Sequence, residues 1–163
     1  MSVSIKADYR DFGRMGGKVM NFLATLSDTR PLLEDIGDVL LLNIDRRFDD
    51  GKGPDGTPWQ KANRGGQTLV DTARLRNSFD KRVSDRTVSA GTNVIYARIH
   101  QFGGTIKPKR AKVLAFNIGG EAIFAKQVTI PARPFLGIGD EDTKGIRGAI
   151  ADFVRTAHRE AHP

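Results

Sequence analysis

Leu32, Leu33, Ile36, Val39, Leu40, Asn43, Ile44 and Phe48 recur at spacings of three and four. This commits the segment from Leu32 to Phe48 to a helix with one face that other parts of the fold must cover. Its ends are marked as well. Asp28 or Thr29 is placed to cap the start, Pro31 stands near the first turn with Glu34 and Asp35 after it, and Arg46 and Arg47 occupy the last turn. Acids early and cations late suit the helix dipole.

Two further segments share this period. Upstream, Phe12, Met15, Val19, Phe22, Leu23 and Leu26 form a stripe weakened by Gly13, Gly16 and Gly17, after a short "SVSI" that reads as an edge strand. Near the other end, Ile146, Ile150, Phe153, Val154 and Ala157 define an amphipathic helix over residues 140–158 that opens on Asp140, Glu141 and Asp142. Between the helices, "TLVDTARLRNSF" reads as a short helix with Leu69, Val70 and Leu75 inward and Arg74 and Arg76 outward. The period then changes to two. "KRVSDRTVSAGT" predicts a hairpin turning at residues 84–86, and "TIKPKRAKVLAFNI" and "EAIFAKQVTI" predict antiparallel strands joined at "GGE". The expected fold is α+β: a central antiparallel sheet packed with N-terminal helices and a C-terminal helix, with long extended loops, as one domain over residues 1–163.

Residues 49–67, "DDGKGPDGTPWQKANRGGQ", hold five glycines and two prolines, too many for a helix or a central strand. A loop of this length in a compact domain is usually functional or mobile. Trp59 at its middle either anchors the loop on a neighbouring surface or closes the subunit's own core.

The net charge of +7 comes from one region. Residues 1–50 carry 7 cations and 9 acids, residues 51–113 carry 13 and 4, and residues 114–163 carry 6 of each. The densest cluster, "KPKRAK", brings Lys107, Lys109, Arg110 and Lys112 together, either to contact phosphates without reading sequence or to face an acidic protein surface. Zinc-finger ligands and aromatic-rich RNA-binding strands are missing, and most of the twelve aromatic residues are Phe at core spacings. Apolar runs such as residues 39–44 fall far short of the roughly 20 residues that span a bilayer, and no basic-then-apolar signal pattern opens the sequence. A soluble protein without a membrane partner is expected.

Enzyme chemistry finds no support. Cysteine is absent, which excludes disulfides, thiolate metal sites and cysteine nucleophiles. No Gly-x-Ser-x-Gly elbow occurs. "GKGPDG" and "GIGDEDTKG" lack the Gly-Lys-Ser/Thr of a phosphate loop, and the second opens a helix with three acids. His100, the histidine inside the body of the chain, has no second histidine near it in sequence, and His158 and His162 stand at a terminal helix end. No catalytic residue, metal or cofactor is expected. Within "YARIHQFGGTI", a strand or one helical turn would send Ala97, Ile99 and Phe102 inward, with Gly103 and Gly104 turning the chain and His100 and Gln101 fixing the corner by hydrogen bonds.

"RFDDGKGPDGTPWQ", "LVDTARLRNSF", "AGTNVIYARIHQFGGTI" and "IPARPFLGIGDED", followed by a closing helix, together resemble the phage virion morphogenesis family of Mu-like phages, which is related to tail completion proteins. The resemblance covers about residues 47–153, with one departure: Ala73 stands where the family commonly has glycine. It implies a structural protein of the head–tail junction, a neck, tail terminator or tail completion protein. Such a protein forms a homo-oligomeric ring, typically sixfold, that completes the tail and allows head–tail joining. The implied partners are further copies of the chain, the tail tube protein, the head–tail connector or stopper proteins, and passing double-stranded genomic DNA contacted without sequence preference. The implied location is the virion, after assembly in the host cytoplasm. Trp59, His100, Gln101, Phe102, Arg133 and Phe135 are the candidate interaction residues, and the 49–67 loop and the basic segment are expected to order on assembly. In "IPARPFLG", Pro131 and Pro134 impose extended backbone on the residues before them. Arg133 there offers a planar fork either to a neighbour or to a rigid connection docked in the core. The alternative function is nonspecific DNA binding by the basic middle segment.

Overall fold

The computed structural model describes residues 3–8, 28–63, 65–118 and 120–161. The helix expected from the stripe Phe12 to Leu26, and the side chains of His158 and His162, lie outside what is described. The order of elements is β1 (Val3–Asp8), α1 (Arg30–Asp50), β2 (Phe79–Val83), β3 (Thr87–Thr92), α2 (Ala97–Phe102), β4 (Gly104–Ile106), β5 (Leu114–Ile118), β6 (Glu121–Ala125), β7 (Val128–Ile130) and α3 (Asp140–Ala161). The class is α+β, and all of the pairing is antiparallel.

The sheet that carries the core has three strands in the order β1-β3-β2, with β1 at an edge and Val3 opposite Thr92. β2 and β3 form the expected hairpin. Ser84 donates its N–H to Thr87 O at 2.9 Å across the turn, and Val88, Ala90 and Thr92 alternate into the interior. α1 lies on this sheet and α3 packs on α1. Leu32, Leu33, Ile36, Leu40, Ile44 and Phe48 of α1 are buried, as are Ile146 and Ile150 of α3. Each fully buried aliphatic or aromatic side chain of this kind stabilises the fold by about 1.5–3 kcal/mol. The start of α1 is closed by Asp28 Oδ1, which accepts the Arg30 N–H at 2.9 Å, with Pro31 in the first turn. Its end is closed by Gly51 at φ +64°, whose N–H reaches Arg47 O at 2.9 Å.

Arg47 departs from the surface position that its place in the last turn suggests. Its Nη1 donates to Phe135 O at 2.8 Å and its Nη2 to Asp142 Oδ2, and both side chains are buried. Asp142 also accepts from Asn43 Nδ2 at 3.1 Å and from the Gly139 N–H at 2.8 Å. The last of these is the third residue of α3 reaching back to the helix start, as in a capping box. Desolvation pushes the Arg47 guanidinium pKa down while the Asp142 carboxylate opposes the change. The three acids that open α3 therefore differ in role: Asp140 and Glu141 are exposed and Asp142 is a core residue.

Two expected elements change. "TLVDTARLRNSF" is a series of turns ending in one 3-10 turn (Arg76–Ser78). Leu69 at φ +62° and Ala73 at φ +56° break the helical run, although Leu69, Val70 and Leu75 still face the core. Ala73, where the family commonly has glycine, thus keeps a left-handed turn without it. Arg76 is held outward in two bidentate ion pairs, with Asp45 at 2.6 and 2.8 Å and with Asp49 at 2.6 and 2.9 Å. "TIKPKRAKVLAFNI" is not one strand either. β4 pairs with β7 and β5 with β6 as separate two-stranded ladders, so "KPKRAK" lies in the break between β4 and β5. Pro108 has no N–H to give to a ladder, and four cations on alternate and adjacent positions repel one another.

Two stability measurements test this fold. Asp142→Ala strands the Arg47 guanidinium in the interior and is expected to cost about 3–5 kcal/mol in urea unfolding, whereas Arg47→Met combined with Asp142→Leu should cost less than Asp142→Ala alone. Ala73→Gly removes a left-handed strain and should raise stability by about 1 kcal/mol, read as a higher urea midpoint at unchanged slope.

Candidate assembly surface

Residues 131–139 run between β7 and α3, and most of the candidate interaction residues converge on them. Phe135 is fully buried in an aromatic cluster: its ring lies 5.7 Å from Phe48 and 5.4 Å from Phe79, and Phe48 also meets Trp59 edge-on at 5.5 Å. Trp59 donates its indole N–H to Pro134 O at 2.9 Å and is 6% exposed, so it closes the subunit's own core. Arg133 spends its fork on the 49–67 loop, with Nε to Gln60 O at 2.7 Å and Nη2 to Lys61 O at 3.3 Å. Its burial lowers its pKa. Gly139 brings the loop closer still, because a Cβ there would lie 1.9 Å from Pro54 O.

The described part of the loop is therefore held against the subunit itself, where the sequence led to the expectation that it orders on assembly. The Lys52–Pro58 bridge, the Asp55 carboxylate accepting from Thr57 N and Oγ1 at 3.0 and 2.8 Å, and Gln67 Nε2 on Phe48 O at 2.9 Å complete its attachment. The Thr57 hydrogen bonds hold the exposed Asp55 carboxyl below its ordinary pKa.

The helical turn α2 divides the "IHQF" residues differently from the expectation. Ala97 and Gln101, four residues apart, take the inner side and are buried. Gln101 Oε1 accepts the N–H groups of Phe135 and Leu136 at 3.0 and 2.9 Å, and its Nε2 donates to Leu136 O at 2.8 Å. Gln101 is thus the residue whose side chain fixes the corner. Phe102 is turned about 100° further round the helix and is 66% exposed. The His100 ring is half-buried against Tyr96, with centroids 6.0 Å apart, and its Nδ1 has no partner among the described residues. Burial, and after it the Arg133 charge, lower its pKa from 6.5, so the neutral imidazole is favoured. The carbonyl of His100, not its ring, secures the corner, accepting the Arg133 N–H at 2.7 Å. Gly103, at φ +67°, then turns the chain into β4, and a Cβ there would meet Ala132 N at 2.8 Å.

Of the six candidates, Trp59, Gln101, Arg133 and Phe135 are consumed by the subunit's own packing, His100 is half-buried and Phe102 faces outward. The accessible surface is elsewhere. Ile95, Tyr96 and Phe102 are 86%, 41% and 66% exposed around α2. From there β4 leads into the basic segment, where Lys107, Lys109, Arg110 and Lys112 are all exposed. Sequence reasoning missed Ile95, which carries no local signal. It also missed the Arg47–Asp142 pair, although Arg47 continues the inward spacing of Ile36, Leu40 and Asn43. Among the described residues, no group of three or more His, Asp or Glu side chains could hold a metal, and no helix is long and apolar enough to cross a membrane.

Comparison with known proteins finds relatives that span most of the chain. A profile of the phage virion morphogenesis family matches residues 12–155. The chain is also similar to the Mu-like prophage FluMu G protein 2 of Haemophilus influenzae, with 32% identity over 126 residues, covering 77% of this chain and 78% of that one. No solved structure matches it.

Because Arg133 holds the loop through two backbone carbonyls, Arg133→Ala should leave the helical circular dichroism unchanged and release the loop. Trypsin cleavage after Lys61 is expected to accelerate by about tenfold or more, given about 1.5–3 kcal/mol for each hydrogen bond to a charged group.

Proposed function

Since the chain belongs to the phage virion morphogenesis family, we propose that it is a structural subunit of the head–tail junction, a tail terminator or tail completion protein. Copies close into a ring, sixfold in the arrangement usual for such parts, on the end of the finished tail. The ring then offers a surface to the head connector or stopper. The observation that carries this reading is the exposure of Ile95, Tyr96 and Phe102 and of the basic segment between β4 and β5, apolar and charged surface that a lone subunit leaves open to water. A ring fits such a surface because each copy must present two different faces to its neighbours, a heterologous contact that rotation closes. It also gives the basic segment a use, since a channel for a passing duplex needs positive charge and no base-reading chemistry.

One observation favours the second reading, nonspecific DNA binding. The four cations of "KPKRAK" are exposed and make no ion pair among the described residues. The two readings separate in phage particles. Without the protein, micrographs should show filled heads and tails that remain apart, and adding purified protein to such tails should restore joining. Normal joining in its absence, together with tight duplex binding by the isolated protein that weakens steeply with salt, would favour the second reading.

A further inference from the structure

Residues 104–130 form an arm that the other described residues leave without a buried position. Not one described residue in this stretch is buried. Among the described residues its strands pair only with one another, β4 with β7 and β5 with β6, whereas α1, α3 and the three-stranded sheet bury their residues together. A ribbon of two strands is marginal in water on its own.

The arm nevertheless has an apolar composition. Leu114, Phe116 and Ile118 share one face of the β5–β6 ladder with Ile123 and Ala125. Phe124 stands opposite Ala115 on the other face and is 68% exposed. Five cations (Lys107, Lys109, Arg110, Lys112 and Lys126) against Glu121 alone give the arm a net charge of +4.

The complementary surface is on α1. Residues 28–50 carry seven acids against Arg30, Arg46 and Arg47, a net charge of −4. Asp35, Asp38, Leu42, Asp45 and Asp49 follow one another at three- and four-residue steps, on the side of the helix opposite the buried residues. Leu42, in the middle of this stripe, is 51% exposed. Arg76 and Lys81 offset part of the charge, but each is shared between two carboxylates: Asp45 and Asp49 for Arg76, Glu34 and Asp38 for Lys81. Negative charge therefore remains along the stripe, and Asp35 is exposed.

We propose that the 104–130 arm of one copy docks on the acidic outer face of α1 of a second copy, cations over the Asp stripe and apolar side chains on Leu42. This inference rests on the self-association in the proposed function and assigns the two faces that meet. Duplex DNA is the weaker occupant, because a phosphate rail matches the cations and leaves the arm's apolar residues in water, whereas a protein surface takes up both. The contact is heterologous, since arm and helix are different parts of the same chain, so each copy can receive one arm and give another.

Three proteins test the assignment: the wild type, an arm variant Lys109→Glu/Arg110→Glu, and a helix variant Asp35→Lys/Leu42→Lys. All four substituted positions are exposed, and circular dichroism checks the fold of each variant. Sedimentation of each protein alone should show wild-type association weakened by about tenfold or more in either variant, as expected for like charges brought together. An equal mixture of the two variants should associate again, the acidic arm of one seating on the basic helix of the other and the unchanged arm on the unchanged helix. A helix variant that associates like wild type would overturn the assignment and leave the ring standing. So would an arm variant that keeps its association and loses only salt-sensitive duplex binding. A wild-type protein that stays monomeric both alone and on isolated tails would overturn both the assignment and the ring.

Discussion

The buried pairing of Arg47 with Asp142 is the constraint on which the rest of the structure depends. It joins the end of α1 to the start of α3 and, through Phe135 O, fixes residues 131–139 between them. Taking these two charges out of water is costly, and a single ion-pair contact would repay little of that cost. Asn43 and the Gly139 N–H add bonds to the carboxylate and the Phe135 carbonyl one to the guanidinium, so the node becomes specific. Phe48, Phe135, Phe79 and Trp59 form the adjoining aromatic cluster.

Everything that shapes the candidate surface hangs from the segment fixed in this way. Gln101 caps the N–H groups of Phe135 and Leu136 and thereby sets α2. Arg133 and Pro134 O hold the Gly/Pro loop through Gln60, Lys61 and Trp59. α2 in turn sets Gly103, the root of the arm. The polar residues that look most like binding groups in the sequence are therefore the scaffold, and the surface that the scaffold presents is Ile95, Tyr96, Phe102 and the basic ribbon. A body held at so many points with one uncovered arm is a physical form suited to a part whose work is assembly.

Much of this was legible wherever the signal was local. The α1 and α3 stripes and the β2–β3 hairpin follow from spacings within one element, and they stand where periodicity puts them. The class, α+β with antiparallel pairing, follows from the same spacings. Pairing across the chain was not legible: Arg47 and Asp142 are 95 residues apart, and each alone looks like an ordinary charge at a helix end. The helix expected through "TLVDTARL" failed because Leu69 and Ala73 adopt left-handed backbone that neither residue type advertises. Gln101 takes the inward place expected of Phe102, a matter of one residue, which on a helix is a rotation of about 100°. The family resemblance supplied the order of segments and, with it, a role in virion morphogenesis that no single residue discloses.

The central claim is that the body is complete in the free subunit and the arm is not. Amide hydrogen exchange, measured on the monomer at concentrations below its self-association and on protein in purified tails, tests it most directly. Residues 104–130 should exchange about as fast as an unfolded ribbon when free and slow by about a hundredfold or more in tails, while α1 and the 51–63 loop are protected in both. Protection of the arm in the free subunit equal to that of α1, or an arm that stays unprotected in tails, would contradict it.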